Sequence, residues 1–507
     1  MRMTRWSLIL LLVVTGVVQA APLANQLKKH PSPYLALHGE DPVAWQEWNA
    51  ATVARARAEG KLLFVSIGYF SCHWCHVMQR ESYRNTQIAR LLNERFIPVK
   101  VDRELDPALD ARLIEFAEKT QGRSGWPLNV FITPAGHPLF ATLYHPPAEF
   151  LQVVQRLDGL WREDAAKLEG MARREAAPAA AASDITPTRL ADLSARATTE
   201  LLKDADIMQG GFGQEGKFPS VPQLAFLLAR EAQQTEAKQR EFLQLTLDAM
   251  ARRGLRDHLG GGFFRYTVDP SWKTPHFEKM LNDNAQLARL YLGAARTLSR
   301  PEYLEVARDT LDFMLHAMRA PGGGFIAALS ALDSKDVEGG YYLWSAKELE
   351  QLLTPDERKA FTNAAGMTGP APFEEGWLPW QAPLAIEGQT EKSAKLVQTA
   401  RTKLFAARSK RGLPRDTKVI AAWNGLALTA LVDAVRANGE PRYRTAAQEV
   451  HALLTQRLWN GKALQRTLTG GTAVLEDYAY VAEGLAAWAA LTGKKEDQAL
   501  ALTVARS

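Results

Sequence analysis

The chain carries two cysteines, and both sit in Cys72-His73-Trp74-Cys75-His76. Two thiols three positions apart, with none elsewhere, can close on each other, hold a metal, or take a haem. For dithiol exchange one thiol must be exposed and acidic while the other lies behind it to resolve a mixed disulfide, and Cys72 and Cys75 fit those roles in that order. A protonated His73 would favour the thiolate beside it, and a helix N-terminus would add to that effect. His76 completes Cys-x-x-Cys-His, which is also the attachment signature of c-type haem; that reading leaves the axial ligands to His76 and an unassigned methionine or histidine. A metal site would use both cysteines with the flanking histidines. The plainest alternative is a static surface disulfide.

The elements around the pair decide among these. An apolar run from Lys61 to Phe70 has the length of a buried strand and leads directly into the cysteines, with a helically spaced stretch after them. The pattern predicts strands at Leu62–Ile67, Phe96–Val101, Leu128–Ile132 and Leu139–Leu143, and helices at Thr86–Arg95, capped by Asn85, and Asp110–Lys119. Strands alternating with helices suit a small α/β domain with a mixed sheet. A dithiol at a strand-to-helix junction is placed for thiol chemistry, and a cytochrome reading accounts for neither the strand before the motif nor the Trp126-Pro127 strand after it. We therefore expect no cofactor.

Arg2 and Arg5 precede an apolar segment from Trp6 to Val18, and Val18-Gln19-Ala20 ends in the small-residue pattern that signal peptidases cut. The apolar run is shorter than the roughly 18 to 20 residues of a membrane span. The expected mature chain is exported to the periplasm, with no stable membrane anchor, in a compartment where a CxxC pair can cycle or rest as a disulfide. The formal charge of +5 is scattered in short runs such as Lys28-Lys29 and Lys410-Arg411, which gives nucleic acid no stripe to bind.

A compositional break between Glu163 and Thr186 contains Pro178 and the alanines around it and reads as a linker ending near Pro187. Beyond it the pattern becomes long amphipathic helices separated by glycine-aromatic turns, among them Gly210-Gly211-Phe212, Gly260-Gly261-Gly262-Phe263 and Gly322-Gly323-Gly324-Phe325. The recurrence predicts stacked helical hairpins. Glycoside chemistry needs two carboxyl groups facing each other across a cleft. Asp257, Glu278, Asp283, Asp333, Glu338 and Asp477 are the candidates, with His258, His276, Tyr266, Trp423 and Asn424 as partners or sugar platforms. Spacing cannot pair them. Glu278 is expected in the first turn of a helix starting at Thr274-Pro275, where the dipole favours an acid regardless of function.

Longer motifs resemble a known family. Asp41-Pro42-Val43-Ala44-Trp45, Cys72-His73-Trp74-Cys75-His76-Val77-Met78, Lys100-Val101-Asp102-Arg103-Glu104 and Gly125-Trp126-Pro127-Leu128-Asn129-Val130, then Pro275-His276-Phe277-Glu278-Lys279-Met280-Leu281, Trp423-Asn424-Gly425-Leu426 and Glu476-Asp477-Tyr478, look like the spermatogenesis-associated protein 20 family, whose bacterial members include YyaL. The resemblance implies a thioredoxin-like domain over residues 21–165, a linker over 166–187, and an all-α (α/α) toroid of the six-hairpin glycosidase or sugar-epimerase type over 188–507, with residues 1–20 as signal peptide. It implies that Trp126-Pro127 is a cis bond opposite the dithiol. The buried acid that thioredoxins place six residues before the first cysteine is Ser66 here, so the resolving thiol needs another proton carrier, such as His76 or water. Three positions depart from the family pattern: the segment shortened to Leu332-Asp333-Ser334, Phe264 in place of a histidine, and Asn282 in place of a tyrosine. Relatives continue for further helices past Glu476-Asp477-Tyr478, which leaves ring closure open.

Two functions follow as expectations. One is an exported thiol–disulfide oxidoreductase that holds a client protein or redox partner through a mixed disulfide at Cys72. The other is a carbohydrate-active or carbohydrate-binding protein whose thioredoxin-like domain is structural. In either case Asp257, Tyr266, His276, Glu278, Asp283, Trp423, Asn424 and Asp477 are expected to meet in one pocket, two of the carboxylates facing each other. N-terminal sequencing of the protein recovered from the periplasm of an expressing bacterium should read from Ala21; an intact Met1 in the membrane fraction would contradict export.

Overall fold

The computed structural model describes residues 22–175, 187–380 and 391–507. The signal-peptide expectation and the Pro178 part of the linker lie outside the described residues. Four strands, β1 (Leu63–Gly68), β2 (Ile97–Asp102), β3 (Leu128–Ile132) and β4 (Pro138–Thr142), form one sheet in the order β2-β1-β3-β4. Strand β2 runs parallel to β1, while β3 and β4 are antiparallel to their neighbours. A parallel pair needs a crossover. Here α3 (His73–Met78) and α4 (Thr86–Arg95) supply it, after α1 (Pro33–Leu37) and α2 (Ala50–Glu59) and before α5 (Pro107–Gln121) and α6 (Pro147–Glu175). Every residue of β1, β2 and β3 is buried, as expected of strands covered on both faces. The Trp126–Pro127 bond is cis. This is the thioredoxin-like domain expected from the motifs.

Two helix boundaries differ most from expectation, each for a local reason. Helix α5 starts at Pro107 rather than Asp110 because Asp106 accepts from the Leu109 N–H and proline is preorganised at the first helical position. Helix α6 continues to Glu175, through the start of the expected linker, with a single non-helical residue at Asp164. Ala165, Ala166 and Ala172 within it are strong helix formers, and Ala172 is buried.

The helical part comprises α7 (Pro187–Lys203), α8 (Val221–Gln233), α9 (Ala237–Arg252), α10 (Leu281–Thr297), α11 (Glu302–Ala317), α12 (Ala346–Leu352), α13 (Pro355–Ala364), α14 (Glu391–Arg408), α15 (Ala421–Asn438), α16 (Pro441–Leu453), α17 (Leu475–Thr492) and α18 (Lys495–Arg506). Helices α8, α10, α15 and α17 pack side by side, and α9, α11, α16 and α18 back them as a second layer. Helix α15 is enclosed on nearly every face. This two-layered arc of hairpins is the helical toroid expected of the region. Short strands between the helices, β5 (Tyr266–Thr267), β6 (Pro275–His276), β7 (Lys279–Met280), β8 (Ala328–Leu329) and β9 (Arg415–Asp416), fix the loops at one end.

The glycine-aromatic turns repeat a single device. Asp206 and Asp257 each accept a backbone bond at 2.9 Å, from Gly210 and Gly261, and each receives a lysine, Lys217 at 2.9 Å and Lys279 at 2.7 Å. Asn284 of α10 grips Phe263, taking its N–H at 2.7 Å and donating to its carbonyl at 3.1 Å. Asn424 of α15 grips Phe325 in the same way, at 2.9 and 3.1 Å. Gly262 has φ +72°, and a methyl there would lie 2.3 Å from Phe313, so only glycine passes.

Replacing Asn284 or Asn424 with alanine leaves a buried N–H and C=O unpaired. Each substitution should cost about 2–4 kcal/mol. A urea midpoint unchanged from the parent would show that the grip contributes nothing.

Candidate functional site

Strand β1 delivers the chain to the dithiol. Cys72 is the N-cap of α3, its sulfur accepting the Cys75 N–H at 3.2 Å, and the two cysteines are joined as a disulfide. Both are buried, at 3% and 1% exposure, although the nucleophile was expected at the surface. The helical part covers them. One buried cluster joins Tyr69, Phe70, Cys72 and Cys75 to Met280, Leu281 and Leu329, so the apolar core is continuous across the two domains.

At the seam the polar groups converge on Glu278. Its carboxylate accepts from the Tyr69 hydroxyl at 3.0 Å, from Arg265 at 3.1 Å and from Ser71 Oγ at 3.4 Å. The helix expected from Thr274-Pro275 does not form there. Pro275–His276 pairs with Tyr266–Thr267, and Lys279–Met280 pairs with Ala328–Leu329, which leaves Glu278 between two strands and starts the helix at Leu281. Burial pushes the Glu278 carboxyl up against the pull of Arg265. His276 lies 3.3 Å from Glu278 and 3.6 Å from Glu338, and Glu338 lies 3.4 Å from His73. Glu338 is pushed up to about 7, by burial first and then by Glu278 and Glu375. Asp283, in the first turn of α10, is pushed up to about 6, again chiefly by burial.

The surroundings of His73 disfavour the protonated form that would assist a thiolate. Burial first, then His276, Arg80 and His76, push it down to about 4, so it is neutral near pH 7. His76 is half-buried, with Nε2 against the Phe70 carbonyl at 2.7 Å, so one ring nitrogen of the residue expected as haem ligand or proton carrier is held by backbone.

A row of rings crosses the seam. Phe218 stacks on Tyr266 (4.5 Å between centroids), Tyr266 on His276 (4.9 Å), His276 faces His73 (6.1 Å), His73 meets Trp74 (5.2 Å), and Trp74 meets Tyr144 (4.9 Å). Phe218 and Trp74 are exposed, so the row opens to solvent on both domains.

The other expected pocket residues lie elsewhere. Asp257 is locked between Lys279 and Arg408 at 2.7 and 2.9 Å, which hold its carboxyl far below the usual range against the upward push of burial. Asp477 caps α17 by accepting from Val474 N–H and binds Arg466 at 2.7 Å. Asn424 is the loop grip already described, and Trp423 is part of the apolar core. Tyr266, His276 and Glu278 come together at the dithiol; Asp257, Trp423, Asn424 and Asp477 do not join them. Among the described residues, no group of three or more His, Cys, Asp or Glu side chains is arranged to hold a metal ion.

Beneath the disulfide lies a second polar layer that spacing gave no reason to assemble. The Lys100 ammonium donates to Ser66 Oγ at 2.9 Å, and Ser66 in turn meets the Tyr83 hydroxyl at 2.8 Å. The register Ser66↔Lys100 and Gly68↔Asp102 puts these side chains on one face of the sheet. A methyl on Gly68 would sit 2.2 Å from the Tyr34 hydroxyl and 2.7 Å from Cys75 Sγ, so these two atoms flank the same methyl-sized space. Lys100 was visible only as a member of a longer motif, and nothing in the spacing of Tyr69 or Arg265 signals a partner about 200 positions away.

Residues 24–177 match the thioredoxin DsbH family, described as "Protein of unknown function, DUF255". Human spermatogenesis-associated protein 20 is 34% identical across 91% of this chain, which spans 66% of the human protein's length. Among solved structures, cellobiose 2-epimerase from Bacillus thermoamylovorans aligns with a TM-score of 0.39 and 10% identity, covering 62% of this chain and 71% of that one. A DsbH oxidoreductase aligns with a TM-score of 0.20 and 18% identity, covering 23% of this chain and 85% of its own.

Glu338 gives the seam a pH dependence whose sign is set by its raised folded value. The folded state favours the protonated acid, so its contribution is full below the free-glutamate range and is lost as pH rises through about 7. Because the side chain is about one-third exposed, the effect is discounted for solvent to about 1 kcal/mol. Glu338→Gln should therefore gain stability relative to the parent between pH 5 and pH 8. Parallel thermal melts across that range would contradict the assignment.

Proposed function

We infer that this chain, which belongs to the spermatogenesis-associated protein 20 family, is an exported thiol–disulfide oxidoreductase whose dithiol works in a site completed by the helical toroid. The observation that carries this reading is the bonding of Tyr69 and Ser71, which flank the cysteines, to Glu278 of the helical part. A dithiol at a helix N-terminus has the geometry for a thiolate at Cys72, since the dipole and the free N–H groups of the first turn stabilise negative charge. With His73 neutral, that terminus carries the stabilisation without a cationic neighbour. A client disulfide is attacked by Cys72, forming a mixed disulfide and releasing one client thiolate. Cys75 then attacks Cys72, closing the internal disulfide and releasing the second. His276, Glu278 and Glu338 supply groups beside Cys72 that hold or give protons to departing thiolates.

The row of rings favours a second reading for the toroid, as the part that recognises a ligand. Phe218 and Trp74 offer exposed rings, and Glu338 offers a partly exposed acid for hydroxyl groups, which together suit a sugar ring. The two readings are compatible, because ring faces and dithiol share one seam.

After mild reduction, iodoacetamide near neutral pH should label Cys72 before Cys75, and Cys75→Ser should retain a client as a mixed disulfide. Glu278→Ala, which loosens the cover, should speed Cys72 labelling by about fivefold or more, given two or three lost hydrogen bonds. Labelling of Cys75 first would refute the assignment of roles. Release or epimerisation of a sugar with no insulin reduction would favour the carbohydrate reading.

A further inference from the structure

The layer under the disulfide contains a lysine to which no acid among the described residues is bonded. Lys100 is buried among aromatic faces, its ammonium 4.6 Å from the Tyr83 ring centre, 5.2 Å from Tyr34 and 5.3 Å from Trp45. Its hydrogen bond is to neutral Ser66. The carboxylate that acts on it, Asp41, is taken up by His38 at 2.6 Å, Gln79 at 2.9 Å and Trp45 at 3.1 Å. The other charged groups near this layer are also committed. Asp102 is bound by Ser32 and Lys418, His76 faces the Phe70 carbonyl, and His38, pushed down to about 3 chiefly by burial, stays neutral. Tyr34 is buried, and its hydroxyl has no hydrogen-bond partner among the described residues. That hydroxyl and Cys75 Sγ flank the space over Gly68, and the Tyr34 ring centre lies 5.2 Å from the Lys100 ammonium.

We propose that Lys100 is the proton acceptor for the resolving thiol Cys75, acting through the Tyr34 hydroxyl, in the role a buried carboxylate fills where one is present at the Ser66 position. The proposal rests on the oxidoreductase reading. In the mixed disulfide, Cys75 must lose its proton before its sulfur can attack Cys72. The proton passes to Tyr34 as the tyrosine gives its own to the neutral Lys100 amine, which becomes an ammonium. The Cys75 sulfur then bonds to Cys72 Sγ, and the client sulfur leaves with the electron pair of the broken bond. The client is reduced by two electrons over both steps and the Cys72–Cys75 pair is oxidised by two. Burial pushes the lysine down to about 7, against the upward pull of Asp41, so a neutral amine is available at physiological pH. An ordinary lysine would offer almost none.

The test uses oxidised glutathione with the reduced full-length protein, following by quench and mass spectrometry the decay of the glutathionylated Cys72 intermediate from pH 5.5 to 9. In the parent the decay rate should rise with pH and level off with a midpoint near 7. Lys100→Met should slow it about tenfold or more at pH 7 and move the midpoint toward that of a free thiol. Lys100→Arg should do the same, because a guanidinium keeps its proton. Tyr34→Phe removes a hydroxyl that has no partner and should slow resolution without harming the fold, so it decides the matter if Lys100→Met does not fold. Adding Ser66→Asp to Lys100→Met should restore most of the lost rate. Parent-like rates and pH profiles in Tyr34→Phe and in Lys100→Arg would overturn the relay alone. Failure of glutathione to modify Cys72 even in Cys75→Ser would instead overturn the oxidoreductase reading, and the relay with it.

Discussion

One ammonium joins the two halves of this molecule. Lys418 of the helical part lies buried among Asp102 and Glu104, at the end of β2, and Asp416 of β9, with Glu104 at 3.0 Å and Asp416 at 3.1 Å. Burial opposes the charge, yet the surrounding carboxylates hold the ammonium well above its ordinary range. Burial first pushes the Asp416 carboxyl well up, against the pull of Lys418 and with the push of Glu104 and Asp102. Arg466 adds a bond to the Glu104 carbonyl from the far end of the chain. Such a cluster adds little over well-packed apolar residues, but removing one member costs about 3–5 kcal/mol because it strands buried charge. Its role is to fix orientation. It pins the C-terminal end of β2 against the toroid, and β1, parallel to β2, ends at the same level with the dithiol.

That orientation turns the cysteine-bearing end of the sheet inward. The seam is apolar around Phe70, Met280 and Leu329, and polar around Tyr69, Arg265 and Glu278, so it has the composition of a core in one part and of a site in the other. Arg265 also lies 4.9 Å from the Tyr69 ring centre and 5.7 Å from Trp126, next to the cis-proline, which ties the helical part to both sides of the dithiol. Access to Cys72 therefore runs along the row of rings between Trp74 and Phe218, or requires the seam to open.

The α/β half was legible because its signals are local. Asn85 accepts from the backbone at Gln87 and Ile88, and the helix after it begins and ends where the periodicity placed it. The apolar runs of β1 and β2 shifted by one residue only, since a strand buried on both faces shows no alternation to fix its ends. Asp257 shows the opposite situation. Its partners lie 22 and 151 positions away, so no window around it reveals that two cations neutralise it. Glu278 was placed on a helix because Thr274-Pro275 is a good helix start. Pairing with Ala328 and Leu329, about fifty residues on, overrode that preference. Whether His73 is protonated was left open, because its neighbours in sequence say nothing of the burial and positive surroundings that push it down to about 4.

The polar residues of the toroid fall into two groups. Asp206 with Lys217, Asp257 with Lys279, and Asp477 with Arg466 are each consumed in holding a hairpin turn, and Asn284 and Asn424 are consumed in gripping the loops. Residues that look catalytic by type are, at these positions, the fasteners that a glycine-rich turn needs because it has few side chains of its own. Those not used in this way, Arg265, His276, Glu278 and Glu338, all face the thioredoxin-like domain. Separated, the first half would present a bare dithiol and the second an acid with no Tyr69 or Ser71 to bind it. The arrangement around Cys72 exists only where the two halves meet, so an account that assigns redox chemistry to one domain and an independent activity to the other must explain why the uncommitted polar groups of the helical part are gathered at the dithiol.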